Sequence, residues 1–347
     1  MSYNLQATCL KFSSLIVLLL LLQTVAAQKN KKNDKEYGIE NFAALDALLI
    51  QNQKLLGTDV VALVARDTIV FKKEMGEFNS KTEAPIASAS KWLTTALIMV
   101  LVDEGVISLD DKVSQYIPIF SSYGKNYITI RHCLSNFTGI ESDGKLVDVK
   151  KYASLQLAAE SFAKKEIQSN PGTECRYSNA GITIAGSIAE IVTKKKFDQL
   201  IKQKLFKPLD MTKTTFGTMD GSAINVAYGA RSIANDYMKF LQMLLNNGKH
   251  NSKQVLSEEA VKEMRKVQVS AAQIKLAPKA AAGFGYAMGA WVIEEKDGEA
   301  TSMTCPGFFG AWPVVDWERG YVYFILSKTL LKEQPAQLYM QMKGAVE

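Results

Sequence analysis

Apolar and polar positions change their spacing several times along the chain, and each change marks an element. Ile39 to Gln53 predicts a first helix. Val60 to Ala65 and Thr68 to Phe71 are rich in β-branched residues and flank the turn pair Arg66-Asp67, which predicts a hairpin. Ser88 to Val102 is apolar almost all round, through Trp92, Leu93, Ala96, Leu97, Met99, Val100 and Leu101, as befits a helix enclosed by protein on every side. Gly105 ends it. A long, mostly helical middle follows, with periodic apolar runs at Ala180 to Val192 and Ile233 to Leu245. Short strands return only near the end: Tyr286 to Ile293, Ala300 to Cys305, Ala311 to Val315 and Tyr321 to Leu326, and Pro335 to Val346 predicts a closing helix. Strands at both ends with helices between them predict an α/β protein of the α+β type. Its antiparallel sheet is formed from both chain ends, flanked by helices, and carries a large, mostly helical insertion. Residues 38–84 and 283–347 then make a sheet lobe and 85–282 a helical lobe, with the cleft between them as the expected site.

The start of the chain reads differently. A lone cation, Lys11, precedes the apolar run Leu15 to Leu22 and the small residues Val25, Ala26 and Ala27, so residues 1–27 are expected to be a signal peptide. Residues 28–37 read as a disordered tether. The run is short for a membrane span, which needs about 20 apolar residues; a retained N-terminal anchor is the alternative. The expectation is an exported protein, periplasmic or secreted, without a span in its mature chain, and monomeric.

With 347 residues, of which 47% are apolar, the chain can bury a full core without a disulfide scaffold. Its net charge of +6 owes part of its size to Lys11 and the tether, and no Lys/Arg stripe with interleaved aromatics occurs, so nucleic acid is excluded as an expected partner. Cys9 lies in the signal peptide. Cys133, Cys175 and Cys305 form no CxxC pair, and an odd number leaves at least one thiol free. Two histidines, His132 and His250, cannot supply a typical zinc site, and neither metal nor organic cofactor is expected.

The same scarcity of histidine shapes the chemistry. A Ser-His-Asp triad needs a placed imidazole, and no GxSxG elbow is present, so a serine nucleophile here would need lysine or tyrosine as its base. Ser88-Ala89-Ser90-Lys91 is an SxxK sequence, and residues three apart on a helix share a face, so Lys91 can reach the Ser88 hydroxyl. Ser122/Lys125, Ser142/Lys145 and Ser161/Lys164 match the same pattern, but only Ser88 opens a long apolar helix. There the positive helix end favours developing negative charge, and burial would hold part of Lys91 neutral. The plainer alternative is a serine cap followed by a snorkelling lysine. Tyr177-Ser178-Asn179 follows Pro171-Gly172 and precedes an Ala/Ile-rich helix; its phenol could shuttle a proton and Asn179 could bond Lys91 or a substrate amide. A tyrosine simply packed with its hydroxyl satisfied is again the plainer reading. Cys305 is a weaker candidate nucleophile, because a thiol of that kind wants a histidine partner.

With these residues in place the chain resembles the β-lactamase-related serine hydrolases, which include class C β-lactamases, D-alanyl-D-alanine carboxypeptidases and esterases. Besides SxxK and YxN, the stretches Leu101 to Pro118, Ile128 to Ile140, Pro171 to Asn179, Pro208 to Phe216 and Ser232 to Gly248 look like family segments in the family's order. The resemblance implies the β-lactamase/penicillin-binding transpeptidase-like fold and an acyl-enzyme on Ser88 formed from an ester, a D-amino-acid peptide or a β-lactam. It makes Lys91 and Tyr177 the acid–base pair and Asn179 a positioning residue, with Cys305 and Gly307 beside the substrate and an oxyanion hole from the N–H groups of Ser88 and Phe308. Two departures stand out. Cys305-Pro306-Gly307 replaces a Lys-Thr-Gly or His-x-Gly triplet, so the cation that would hold a substrate carboxylate is missing. Cys133 replaces a leucine, and Asn136-Phe137-Thr138 replaces His-Thr-Ser; the latter also matches a glycosylation sequon. Cys133 and Cys175 stand where relatives often carry apolar core residues, and either two buried thiols or a disulfide beneath the tyrosine loop would suit them. The altered triplet also motivates an alternative function, a catalytically silent relative that binds cell-wall peptides or a protein partner. Transfer of the acyl group to an amine or alcohol is a third reading.

Overall fold

The computed structural model describes residues 42–141, 152–218, 221–327 and 335–347. The expected signal peptide, the tether and the Ser142/Lys145 match lie outside these described residues. Helix α1 (Ala43–Gln51) falls within the expected first helix. Strands β1 (Val60–Ala65) and β2 (Ile69–Met75) form the hairpin. Helix α2 (Ser90–Asp103) is buried at every position from Ser90 to Leu101, as its unbroken apolar character requires. Its C-terminal end turns at Gly105, φ +68°.

In the helical middle, α3 (Ile130–Leu134), α4 (Ala180–Thr193) and α5 (Ala234–Leu245) are the elements that matter for the site. Then come β3 (Gly285–Tyr286), β4 (Trp291–Lys296), β5 (Glu299–Thr304), β6 (Trp312–Asp316), β7 (Tyr321–Ser327) and α6 (Ala336–Val346). The seven strands form one sheet in the order β3-β4-β5-β6-β7-β1-β2, with every neighbouring pair antiparallel. The two chain ends meet where β1 pairs with β7, from Val60 opposite Ser327 to Ala65 opposite Val322.

One expected strand is divided. Tyr286 to Ile293 breaks into β3 and β4 because the intervening turn presses on α2. Gly289 there has φ +74°, and a Cβ on it would lie 2.1 Å from Thr95 Oγ1. Only glycine permits that approach.

The central strands are covered on both faces. Neighbouring residues on a strand point to opposite sides, and the register sets Pro313 opposite Phe324 and Trp312 opposite Ile325. Tyr237 of α5 stacks on Phe324 at 4.8 Å, while Tyr339 of α6 stacks on Trp312 at 4.4 Å. This is why β1 and β7 read as continuous apolar runs rather than alternating ones. Among the described residues no helix is long and apolar enough to cross a membrane.

Helix α6 is also tied down by charge. Lys343, 1% exposed, reaches Glu294 at 3.0 Å and the fully buried Asp316 at 3.1 Å, and it pairs with Glu347 one turn on. Removing the ammonium would take one of its two cations from the buried Asp316, though Arg319 would still hold that carboxylate at 2.9 Å. Lys343→Met is therefore expected to destabilise the fold by about 3 kcal/mol, the low end for a broken buried pair. A chemical-denaturation curve measures it, and a loss within about 0.5 kcal/mol of zero would contradict the assignment.

Candidate active site

Ser88 lies in a 3₁₀ turn, Ala87–Ala89, just ahead of α2 rather than on its first α-helical residue. The turn is pinned from several directions. Ile86 N–H donates to the Ala230 carbonyl at 3.0 Å. The Ser90 hydroxyl donates to the Ala87 carbonyl at 2.6 Å and accepts from Ala230 N–H at 3.1 Å. Cys305 donates its thiol to the Ser88 carbonyl at 3.2 Å, and the Tyr237 hydroxyl donates to the Ala89 carbonyl at 2.9 Å. Each carbonyl of the turn thus receives a side-chain donor. These bonds hold Ala87 at φ +45°, a left-handed conformation that a residue with a Cβ resists by roughly 1–2 kcal/mol and that surrounding structure must enforce.

The spacing argument for Lys91 holds. Its ammonium nitrogen, fully buried, lies 3.5 Å from Ser88 Oγ, donates to Asn179 Oδ1 at 2.8 Å and to the Ala227 carbonyl at 3.3 Å, and stands 4.8 Å from the centre of the Tyr177 ring. Burial strips the amine of water and pulls its pKa down to about 8, with nearby Cys305 acting weakly the other way. Tyr177 is 3% exposed. Its pKa moves in the opposite direction, well up from the usual phenol value, because burial disfavours the phenolate. The neighbouring Ser88 side chain acts weakly the other way. The phenol is backed by Trp291 and Tyr286, whose rings lie 5.2 and 6.1 Å away. Ser88, Lys91, Tyr177 and Asn179 therefore meet in one place.

The third segment packs against the same turn. Cys305 is 1% exposed and its thiol is committed to the Ser88 and Gly289 carbonyls, at 3.2 and 3.3 Å. It supports the Ser88 turn, its thiol turned to the backbone. Burial also pushes that thiol up to about 12, which leaves it protonated and removes it as a nucleophile at neutral pH. Gly307 does press against the turn: a Cβ there would lie 2.0 Å from the Ile86 carbonyl oxygen. Gly307 N–H donates to Ala311 at 2.7 Å, and Phe308 follows directly, half-buried, with its ring 6.0 Å from that of Phe309.

Cys133 and Cys175 are both free and buried, which matches the reading of two buried thiols rather than the disulfide alternative. They belong to separate apolar clusters, Cys133 to the main core and Cys175 to the cluster around Tyr177, Tyr286 and Trp291. Asn136 of the sequon is 3% exposed, so a glycan has no access to it in the folded chain. His132 accepts from Thr129 N–H at 3.2 Å and helps cap α3. Sequence reasoning did not find Tyr237, Ser90 or Ala227. Tyr237 sits within a periodic apolar run, and Ala227 acts through its backbone, so neither carries a side-chain signal of chemistry.

A mixed helical and antiparallel architecture with this cluster at its centre is the hydrolase fold shared by β-lactamases and penicillin-binding proteins. The chain belongs to the β-lactamase family, whose profile matches residues 43–343. Protein flp of Staphylococcus aureus (strain N315) is 34% identical over 153 residues, covering 43% of this chain and 31% of that protein. The chain thus spans about a third of the length of the curated relatives it matches. A crystal structure of a candidate β-lactamase from Bacteroides dorei DSM 17855 superposes with a TM-score of 0.77 at 26% identity, covering 88% of this chain and 99% of that one. EstCE1, a hydrolase with promiscuous acyltransferase activity, superposes with a TM-score of 0.73 at 19% identity, covering 88% of this chain and 97% of that one.

Three free thiols at 133, 175 and 305 give a direct test. Thiol titration of the denatured protein is expected to return the same count with and without prior reduction. A gain of two thiols on reduction would restore the Cys133–Cys175 bridge.

Proposed function

We propose that the protein is a serine hydrolase that cleaves neutral esters through an acyl-enzyme on Ser88. The observation that carries this reading is the fully buried Lys91 amine, 3.5 Å from Ser88 Oγ and 2.8 Å from Asn179 Oδ1. With a pKa near 8, about a tenth of it is neutral at pH 7, whereas Tyr177 stays protonated. Lys91 is therefore the base and the Tyr177 phenol the relay. The Ser88 proton passes to the Lys91 amine as Oγ bonds to the ester carbon, and the carbonyl π pair moves onto oxygen. The N–H groups of Ser88 and Phe308 would receive that oxyanion. Its collapse breaks the bond to the alkoxy oxygen, which leaves as the alcohol with a proton delivered through Tyr177 from the Lys91 ammonium. Water then attacks the acyl carbon along the same route in reverse and frees the acid. A separation of 3.5 Å without substrate is within the range of catalytic hydrogen bonds that tighten only in the complex.

Neutral esters are favoured over carboxylate-bearing amides for one reason: the position where relatives hold a cation carries Cys305, buried and protonated. The half-buried Phe308–Phe309 pair beside Gly307 suits an apolar acyl or alkoxy group. Assembly of the cluster, with the Ser88 turn held against backbone strain, argues against a silent binding protein.

A fluorophosphonate probe is expected to add its mass to the wild type and not to Ser88→Ala; an unlabelled wild type would overturn the reading. Because only the neutral amine accepts the proton, ester turnover should climb about tenfold per pH unit below pH 8 and level off above it. Lys91→Met should lower kcat by roughly 10²- to 10⁴-fold and abolish that limb. Among a p-nitrophenyl butyrate, a D-Ala-D-Ala peptide and a chromogenic cephalosporin, the butyrate is expected to give the highest kcat/KM by at least about 100-fold. A preference for the cephalosporin would mean that another cation takes the carboxylate.

A further inference from the structure

Tyr177 must hold its phenol against Ser88, yet it sits in a loop segment, Thr173 to Asn179, whose only regular element is the two-residue strand Cys175–Arg176. Three backbone bonds fix it. Tyr177 N–H donates to the Leu276 carbonyl at 3.0 Å. The other two come from its immediate neighbours and end on one residue: Arg176 N–H donates to the Asn136 carbonyl at 3.3 Å, and Ser178 N–H donates to Asn136 Oδ1 at 3.1 Å. Asn136 therefore grips the chain on both sides of the phenol-bearing residue.

Its own placement is rigid. It follows α3 in the left-handed region at φ +55°, and the next residue, Phe137, donates its N–H back to the His132 carbonyl at 2.9 Å, which is the helix-ending pattern that asparagine tolerates. Asn136 is 3% exposed. Its amide nitrogen is buried beside the Tyr286 hydroxyl without completing a hydrogen bond to it, and a buried amide left short of a partner costs free energy. A residue needed only to end α3 would be served better by glycine, which pays no penalty for φ above zero and buries no polar group.

We infer that Asn136 is the positioning residue for Tyr177: its side-chain oxygen and its carbonyl set the loop so that the phenol meets Ser88. The inference rests on the acyl-enzyme reading given above, but it concerns a residue that touches neither substrate nor the reacting atoms.

The test separates the grip from the helix end. Asn136→Gly keeps the left-handed backbone and the carbonyl but removes the side-chain acceptor, whereas Asn136→Asp keeps an acceptor oxygen in nearly the same shape. Fluorophosphonate labelling rate at Ser88, kcat and KM for p-nitrophenyl butyrate, and thermal midpoint are measured on the full chain. Asn136→Gly is expected to lose roughly 10- to 100-fold in labelling rate and kcat, with KM within about threefold of wild type and an unchanged melting temperature. Asn136→Asp is expected to recover at least about tenfold of that loss. Labelling of Asn136→Gly at the wild-type rate, or a failure of Asn136→Asp to exceed it, would overturn the inference while leaving the acyl-enzyme reading intact. If Asn136→Gly does not fold, Asn136→Asp decides alone: a labelling rate within about tenfold of wild type supports the grip, and a lower one refutes it. A wild type that takes no label overturns the parent reading and this one with it.

Discussion

A lysine amine with no access to water lies at the centre of this structure. Transfer of an ammonium into such a place is costly unless it is neutralised or well bonded, and the chain applies both remedies to Lys91. Asn179 and the Ala227 carbonyl accept from it, and burial lowers its proton affinity. Because the folded-state pKa lies below the unfolded one, the folded chain binds fewer protons between about pH 8 and 10.5, so the penalty this group places on folding is full below about pH 8 and is relieved as the pH rises through that window. The fold thus accepts a destabilising group at neutral pH. The rest of the core, with α2 buried from Ser90 to Leu101 and both sheet faces covered, outweighs it.

From that constraint the surroundings follow. A neutral amine is useful only where a hydroxyl is held against it, and the Ser88 turn is held by Ser90, Cys305 and Tyr237, one donor to each carbonyl. Cys305 connects two of these demands. A protonated thiol there sets no second positive charge near Lys91 while still tying β5's exit to the turn. The residue proposed above to leave a substrate carboxylate without a cation thus also supports Ser88.

Much of this was legible in the residues. Apolar periodicity located α2, α4 and α5 to within a few positions, and β-branched runs located the terminal hairpin and the last strands. The i, i+3 spacing of Ser88 and Lys91 survived even though Ser88 lies in a 3₁₀ turn, because side chains three apart share a face in either helix. What the sequence hid depended on tertiary approach. The break in the strand at Gly289 is set by Thr95, nearly two hundred residues away, and no local pattern records it. Whether Cys133 and Cys175 pair was open in the sequence, and it is their packing in different clusters that separates them. Asn136 drew notice as a departure from the family's His-Thr-Ser, but its grip on residues 176 and 178 is a matter of where the end of α3 meets the tyrosine loop.

Direct observation of the Lys91 amine tests the central claim without passing through a reaction rate. Carbon-13 labelling at lysine Cε, with the Lys91 resonance assigned by its loss in Lys91→Arg, follows the amine through a pH titration. The account predicts a midpoint near 8, some two units below the exposed lysines; a midpoint at or above 10 would show the amine charged throughout the neutral range and would leave Ser88 without its base.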